Sequence, residues 1–245
     1  MIDFEDTHLY VRCWFLCMAV AWEKNSRVEQ LIKRYISNVN DIIHIETPID
    51  DAVYIVTPHE KYFSFRGTKN WKAWINNVKG ITTNGFHSGI SSEMEKNYKE
   101  PLLDLTRSDD RPVYITGQSR GDAESLYSNY ILKRDGRICS IESVGFSGPF
   151  IANGEGIEKM KSLHVCNTHI YSDSCSMFPS DPVDDVGAIG GKHYGNMVNV
   201  EGSSGVFDHS YRNITTNLAI KMIEWKLFND AAYLVKLLRE GVPSK

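Results

Sequence analysis

The run Val113-Tyr114-Ile115-Thr116-Gly117-Gln118-Ser119-Arg120-Gly121 constrains the fold of this chain more than any other stretch. Val113 to Thr116 are β-branched or aromatic and follow Pro112, which predicts a strand starting at 113. That strand runs straight into G-x-S-x-G. Beyond the serine, Ala123, Leu126, Tyr127, Tyr130 and Ile131 recur at helical spacing and form one apolar face. Gly136 ends the predicted helix after Lys133 and Arg134, whose charges suit its C-terminal dipole. A second extended run, Ile138 to Phe146, follows at once. A strand that turns into a helix at a single residue leaves no room for side chains beside the bend. Gly117 and Gly121 relieve that crowding, and Ser119 is expected in a strained backbone conformation with its hydroxyl projecting from the sheet edge. A serine before a helix is also a common N-cap, so this hydroxyl has two competing uses: closing the helix or reacting.

Strand, tight turn and helix around G-x-S-x-G make the nucleophile elbow of an α/β-hydrolase. The expected fold class is therefore α/β, with a mixed, mainly parallel central sheet flanked by helices. At 245 residues, with no linker, repeat or low-complexity tract, the chain reads as a single domain over 1–245. Residues 1–40 are expected to be a helical segment packed on it. Leu9 to Trp22 is mostly apolar, but Arg12 interrupts it and the run is too short to span a bilayer. Asp3, Glu5 and Asp6 precede it where a signal peptide would carry positive charge, so it reads as a core helix capped near Asp6 or Thr7. A second helix is expected over about Arg27 to Ile36. The C-terminal stretch from Asn213 to Arg239 is expected to be helical with a break near Asn229-Asp230.

The formal charge of −4 and the lack of a basic stripe argue against nucleic acid as a partner. Cys13, Cys17, Cys139, Cys166 and Cys175 are odd in number and form no C-x-x-C pair, which suits buried thiols of a reducing compartment. The expected location is the cytoplasm, or release by a route without a classical signal peptide. No transmembrane segment is expected. His164 and Cys166 alternate on an expected strand and share a face, without further ligands for a metal. Asp181, Asp184 and Asp185 lack the spacing of a calcium loop and read as a turn.

A serine hydroxyl needs a base within hydrogen-bond reach and a group that orients the base. In α/β-hydrolases these follow in the order serine, acid, histidine, which favours the late His193 or His209 over His164 and His169. Several segments then resemble the class 3 lipases, the family of the fungal triglyceride lipases. Phe65-Arg66-Gly67-Thr68 resembles its F-R-G-T, Trp74-Ile75-Asn76-Asn77-Val78 its W-x-x-D-L lid segment, and His87-Ser88-Gly89 lies within its V-H-x-G-F. Thr116 to Gly121 stands at T-G-H-S-L-G. Ser172-Asp173 begins a counterpart of N-D-x-V-P-x-L-P, His193 lies in that of Y-H-V-G, and Asp208-His209-Ser210-Tyr211 resembles D-H-x-x-Y. The order is preserved from about residue 50 to 212.

This resemblance implies Ser119 as nucleophile, Asp173 as orienting acid and His209 as general base. It implies an oxyanion hole from the backbone N–H groups of Thr68 and Arg120, and a short lid with Trp71, Trp74 and Ile75 over the serine. It implies hydrolysis of lipid esters through an acyl-enzyme, with transient membrane-surface contact and with neither cofactor nor metal. The chain departs from the pattern at Gln118 (usually His), Arg120 (usually Leu), Asp122 (usually Gly), Glu124 (usually apolar), Cys175 and Ser176. Arg120 and Glu124 are placed to pair at i,i+4. The polar first turn suggests a charged site entrance, and hence a phospholipid or small soluble ester over fat. The same residues also suit a thioesterase or acyltransferase, a membrane-damaging effector, or a degenerate hydrolase kept for binding.

Overall fold

The computed structural model of the protein describes residues 4, 6–21, 25–36, 38–47, 51–67, 82–107, 110–137, 139–171, 193–200 and 210–241. Among these, seven strands form one sheet in the spatial order β1 (Asp41–Glu46), β2 (Asp51–Val56), β3 (Lys61–Phe65), β6 (Val113–Gln118), β7 (Ile141–Phe146), β8 (Cys166–Tyr171) and β9 (Asn196–Asn199). The short strands β4 (Thr82–Thr83) and β5 (Phe86–His87) pair apart from it. β1, β2 and β3 are antiparallel neighbours, whereas every pairing from β3 to β9 is parallel. Parallel neighbours need crossover connections; from β3 to β8 helices take part in each of them, and helices cover both faces of the sheet.

On one face lie α1 (Leu9–Ala21), α2 (Asn25–Tyr35), α7 (Tyr211–Glu224) and α8 (Phe228–Gly241), packed on Val53, Ile55, Tyr62, Val144, Phe146 and Ile170. On the other lies α3 (Ser88–Glu93), which continues through a π-helical turn, Met94–Tyr98, into α4 (Lys99–Thr106). With it pack α5 (Arg120–Arg134) and α6 (Gly154–Ser162), over Tyr54, Phe63, Phe65, Val113, Ile115 and Ile141. The period-2 alternation of a strand sorts β6 between these layers. Val113 and Ile115 face α5, while Thr116 faces α1, its Oγ1 lying 3.1 Å from Cys17 Sγ.

α1 is buried from Val11 to Val20, as a helix apolar on all sides must be. Arg12, which interrupts that run, donates to Glu60 and to the Tyr62 hydroxyl at 2.8 Å, so its charge is answered inside the fold. The Trp14 indole N–H donates to Thr215 Oγ1 at 2.7 Å, and its ring lies 4.8 Å from Phe146 and 5.4 Å from Tyr211. The first helix is thereby tied to the sheet and to α7. No helix among the described residues is long and apolar enough to cross a membrane.

Four local expectations are corrected. The start of α1 is capped by His8, whose Nδ1 accepts from Tyr10 N–H at 3.3 Å, while the Thr7 hydroxyl turns back to the Phe4 carbonyl at 2.7 Å. The C-terminal break falls at Trp225–Leu227, before Asn229-Asp230, because Lys226 takes φ 62° and ends α7. His164 sits in a turn at φ 49° ahead of β8 and shares no strand face with Cys166. Of the described cysteines Cys13, Cys17 and Cys139 are buried but Cys166 is exposed; all four are free thiols, and burial pushes the Cys17 thiol up to about 12. Cys175 lies outside the described residues.

Replacing Trp14 removes a fully buried indole that touches sheet and helix together. Trp14→Ala is expected to cost about 3–5 kcal/mol of stability, read as a lower urea midpoint. An unchanged midpoint would mean that α1 is a separable appendage.

Candidate active site

The bend at the C-terminal end of β6 is built by backbone contact. A Cβ on Gly117 would lie 2.2 Å from the backbone of Gly121, and one on Gly121 would lie 2.8 Å from the Phe65 carbonyl oxygen. Strand end and first helical turn therefore touch without side chains between them. Ser119 occupies the corner at φ 59°, ψ −127°, a conformation that costs a residue with a Cβ about 1–3 kcal/mol. Its N–H donates to the Phe146 carbonyl at 2.9 Å. Its side chain, half-buried, makes no capping hydrogen bond to α5. The hydroxyl is thus not spent on closing the helix.

Arg120 is the first residue of α5, so its N–H belongs to the helix N-terminus that faces the sheet edge. Its side chain turns inward. Nε donates to Glu124 Oε1 at 2.6 Å and Nη2 donates to Glu93 of α3, with Arg120, Glu93 and Glu124 all buried. Burial raises the Glu93 carboxyl above its ordinary value, and the guanidinium opposes that rise. The i,i+4 pair expected from sequence is present. These residues do not form the expected charged entrance: Arg120, Asp122 and Glu124 lie under the elbow rather than around its mouth, because the first turns of α5 are buried. The preference for a phospholipid or small soluble ester loses its basis with that correction.

Asp122 forms a second buried pair. Its Oδ2 accepts from Gly148 N–H at 3.0 Å and lies 2.6 Å from His169 Nδ1. The His169 ring stacks on His193 at 4.0 Å, and His193 lies 4.4 Å from Phe150. Neither the Asp122–His169 pair nor Glu93 was singled out from sequence. The available signal was a carboxylate at a position where the resemblance has glycine, two residues from a second departure at Arg120. Among the described residues no group of three or more His, Cys, Asp or Glu is arranged to hold a metal.

Of the residues expected in the site, Ser119 and Arg120 are described. Thr68, Trp71, Trp74, Ile75, Asp173 and His209 lie outside the described residues, as do Asp181, Asp184 and Asp185. Their described neighbours reach the same edge of the sheet. Gly67, just before Thr68, passes so close that its Cβ would meet the Gln118 carbonyl oxygen at 2.9 Å. Tyr171, two residues before Asp173, ends β8, and the Ser147 N–H donates to its neighbour's carbonyl, that of Ile170, at 2.9 Å. Ser210, just after His209, caps α7 by accepting from Asn213 N–H at 3.2 Å. Tyr211 then stacks on Trp14, which lies against Phe146, the acceptor of the Ser119 N–H.

No protein-family model and no curated protein sequence matches the chain. Solved structures do. A lipase from Rhizopus microsporus var. chinensis superposes with a TM-score of 0.59 at 19% identity, over 80% of this chain and 73% of that one. The Rhizomucor miehei triacylglyceride lipase gives a TM-score of 0.60 at 13% identity, over 78% of each chain. A triacylglycerol lipase whose catalytic centre is a serine protease triad gives 0.56 at 15% identity, over 76% of this chain and 78% of that one. The fold is that of the fungal lipases. It is an α/β-hydrolase fold, as the elbow and the parallel strand pairings had implied.

The His193 ring titrates far from its ordinary range. Burial first, and the His169 ring second, hold its pKa down from 6.5 to about 3. The unfolded chain therefore binds a proton there that the folded chain refuses, so this contribution to stability is complete above pH 6.5 and is lost as pH falls towards about 3. The thermal midpoint should drop across that window, and the drop should be shallower in His193→Gln. Parallel pH profiles for the two proteins would exclude this origin.

Proposed function

We propose that the protein is a serine hydrolase of carboxylic esters, with lipid esters as its substrate class. The observation that carries this reading is the serine at the elbow: held at φ 59° on the edge of the sheet, with a hydroxyl that makes no capping bond. A strained residue of this kind persists only where its surroundings over-determine it, and such residues cluster at active sites. The elbow lies at the C-terminal ends of parallel strands, where open α/β sheets bind their ligands. The similarity to a triacylglycerol lipase with a serine protease triad supports the same chemistry.

In this mechanism Ser119 Oγ attacks the ester carbonyl carbon while His209 takes its proton. Asp173 holds the imidazole in the needed tautomer and stabilises its charged form. The N–H groups of Thr68 and Arg120 hold the oxyanion of the tetrahedral intermediate, at the positive end of the α5 dipole. His209 then protonates the leaving alcohol, leaving an acyl group on Ser119. A water, deprotonated by His209, attacks that acyl carbon and releases the acid. Trp71, Trp74 and Ile75 act as a hydrophobic cover that excludes water while the acyl chain is bound, and opens in transient contact with a lipid surface.

Two measurements test this. A fluorophosphonate should label Ser119 stoichiometrically. Ser119→Ala should lose about 10⁴-fold or more in turnover of a p-nitrophenyl ester, with triglyceride and phospholipid emulsions compared in the same assay. Folded protein that neither labels nor turns over any ester would instead be a binding scaffold.

A further inference from the structure

The first turn of α5 stands on two glycine positions of the sheet and the histidine beside them. In register across the sheet, Gly117 of β6 lies beside Gly145 of β7, which lies beside His169 of β8, and all three face α5. Gly121 fills the space over Gly117. Asp122 fills the space over Gly145: a Cβ on Gly145 would lie 1.6 Å from Asp122 Oδ1, and one on Gly148 would lie 2.4 Å from Asp122 Cβ. Where the resemblance has glycine at 122, this chain has a carboxylate and two glycines that make room for it.

The carboxylate is held as well as housed. Asp122 Oδ2 receives the Gly148 N–H and lies within 2.6 Å of His169 Nδ1, in a pair of which 4% and 3% of the residue surfaces are exposed. His169 Nε2 is buried with no hydrogen-bond partner among the described residues, so Asp122 is the polar anchor of that ring. Stacking on His193 fixes the plane of the ring from its other side. A buried hydrogen-bonded pair contributes little net stability, but leaving one partner buried without the other is costly, so its geometry is enforced.

We infer that Asp122 and His169 are positioning residues that lock the first turn of α5, carrying Ser119 and the Arg120 N–H, to the end of β8. This rests on the triad reading above, because β8 is the strand that leads, two residues beyond Tyr171, to Asp173. In sequence Ser119 follows β6 and Asp173 follows β8, and a displacement of 1 Å between reacting groups costs about 10²-fold in rate. A bond from the turn after the serine to the strand before the acid holds that separation. The Arg120 pair with Glu93 holds the same turn from its other side, towards α3, while Glu124 of α5 itself steadies the guanidinium.

The test uses the full chain, a p-nitrophenyl ester and a fluorophosphonate. His169→Phe keeps a ring against His193 but has no donor for Asp122; His169→Asn restores a donor near the place of Nδ1. We expect His169→Phe to lower kcat by about 10²-fold with KM within about twofold, and to slow labelling of Ser119 in step. His169→Asn should recover at least about ten-fold of that loss. If His169→Phe does not fold, Asp122→Asn, which keeps the carboxylate's shape and removes its charge, takes its place with the same direction expected. Wild-type kcat and labelling in the donor-less variant would overturn the inference. So would a loss confined to KM, or an asparagine variant no better than phenylalanine. Activity surviving in Ser119→Ala would instead bring down the triad reading itself, which separates the two failures.

Discussion

The contact between the end of β6 and the first turn of α5 is made by backbone alone, and the rest of the arrangement follows from it. Gly121 lies on Gly117, and the Phe65 carbonyl stands against Gly121 from β3. With the chain that close, the residue at the corner has to take positive φ, whatever its side chain. A serine there is turned out from the sheet and away from the helix it precedes. The strain of about 1–3 kcal/mol is offset by the burial of α5 along residues 120–132, far more apolar surface than the corner itself commands.

α5 shows how a central helix differs from a surface one. It lies between the sheet and α3, α4 and α6, so the face opposite its apolar stripe is also covered. Its polar residues are consequently answered one by one: Arg120 by Glu93 and Glu124, Asp122 by His169 and Gly148, and the Asn129 amide by the Cys166 carbonyl at 2.6 Å. Ser125 and Ser128 return their hydroxyls to carbonyls one turn earlier. Buried polar groups of this kind are costly to leave without a partner, so the bonds they make fix one packing of the helix among several of similar apolar area.

The two faces of the sheet meet at the same edge by different means. On the α5 face, glycines and ion pairs bring backbone close to backbone. On the α1 face, ring packing and one backbone bond do so: Tyr211 stacks on Trp14, Trp14 lies tilted against Phe146, and the Phe146 carbonyl accepts the Ser119 N–H. The N-terminal helix thus belongs to the structure that surrounds the elbow, and the residue following His209 in sequence by two is packed on it.

The elements that repeat a local pattern were legible in the sequence alone. β6, the bend, α5 and β7 follow from β-branched residues, two glycines and an apolar helical period, and so does the i,i+4 pairing of Arg120 with Glu124. α1 and α2 were read nearly to their ends, because a dense apolar run broken by one arginine has few other folded forms. Helix ends are less well marked: the cap of α1 falls to His8, next to Thr7, and the break between α7 and α8 falls two to four residues before Asn229-Asp230. Tertiary structure alone decided that Asp122, Arg120 and Glu124 are core residues rather than a charged entrance. Burial of a helix's second face depends on what packs there, and α3 and β8 arrive from 27 residues before Arg120 and from 47 residues after Asp122, as the Glu93 and His169 contacts show. Of the glycines that accommodate Asp122, Gly145 lies on the neighbouring β7 and Gly148 just beyond its end, so their meaning depends on a register that exists only once the sheet has formed.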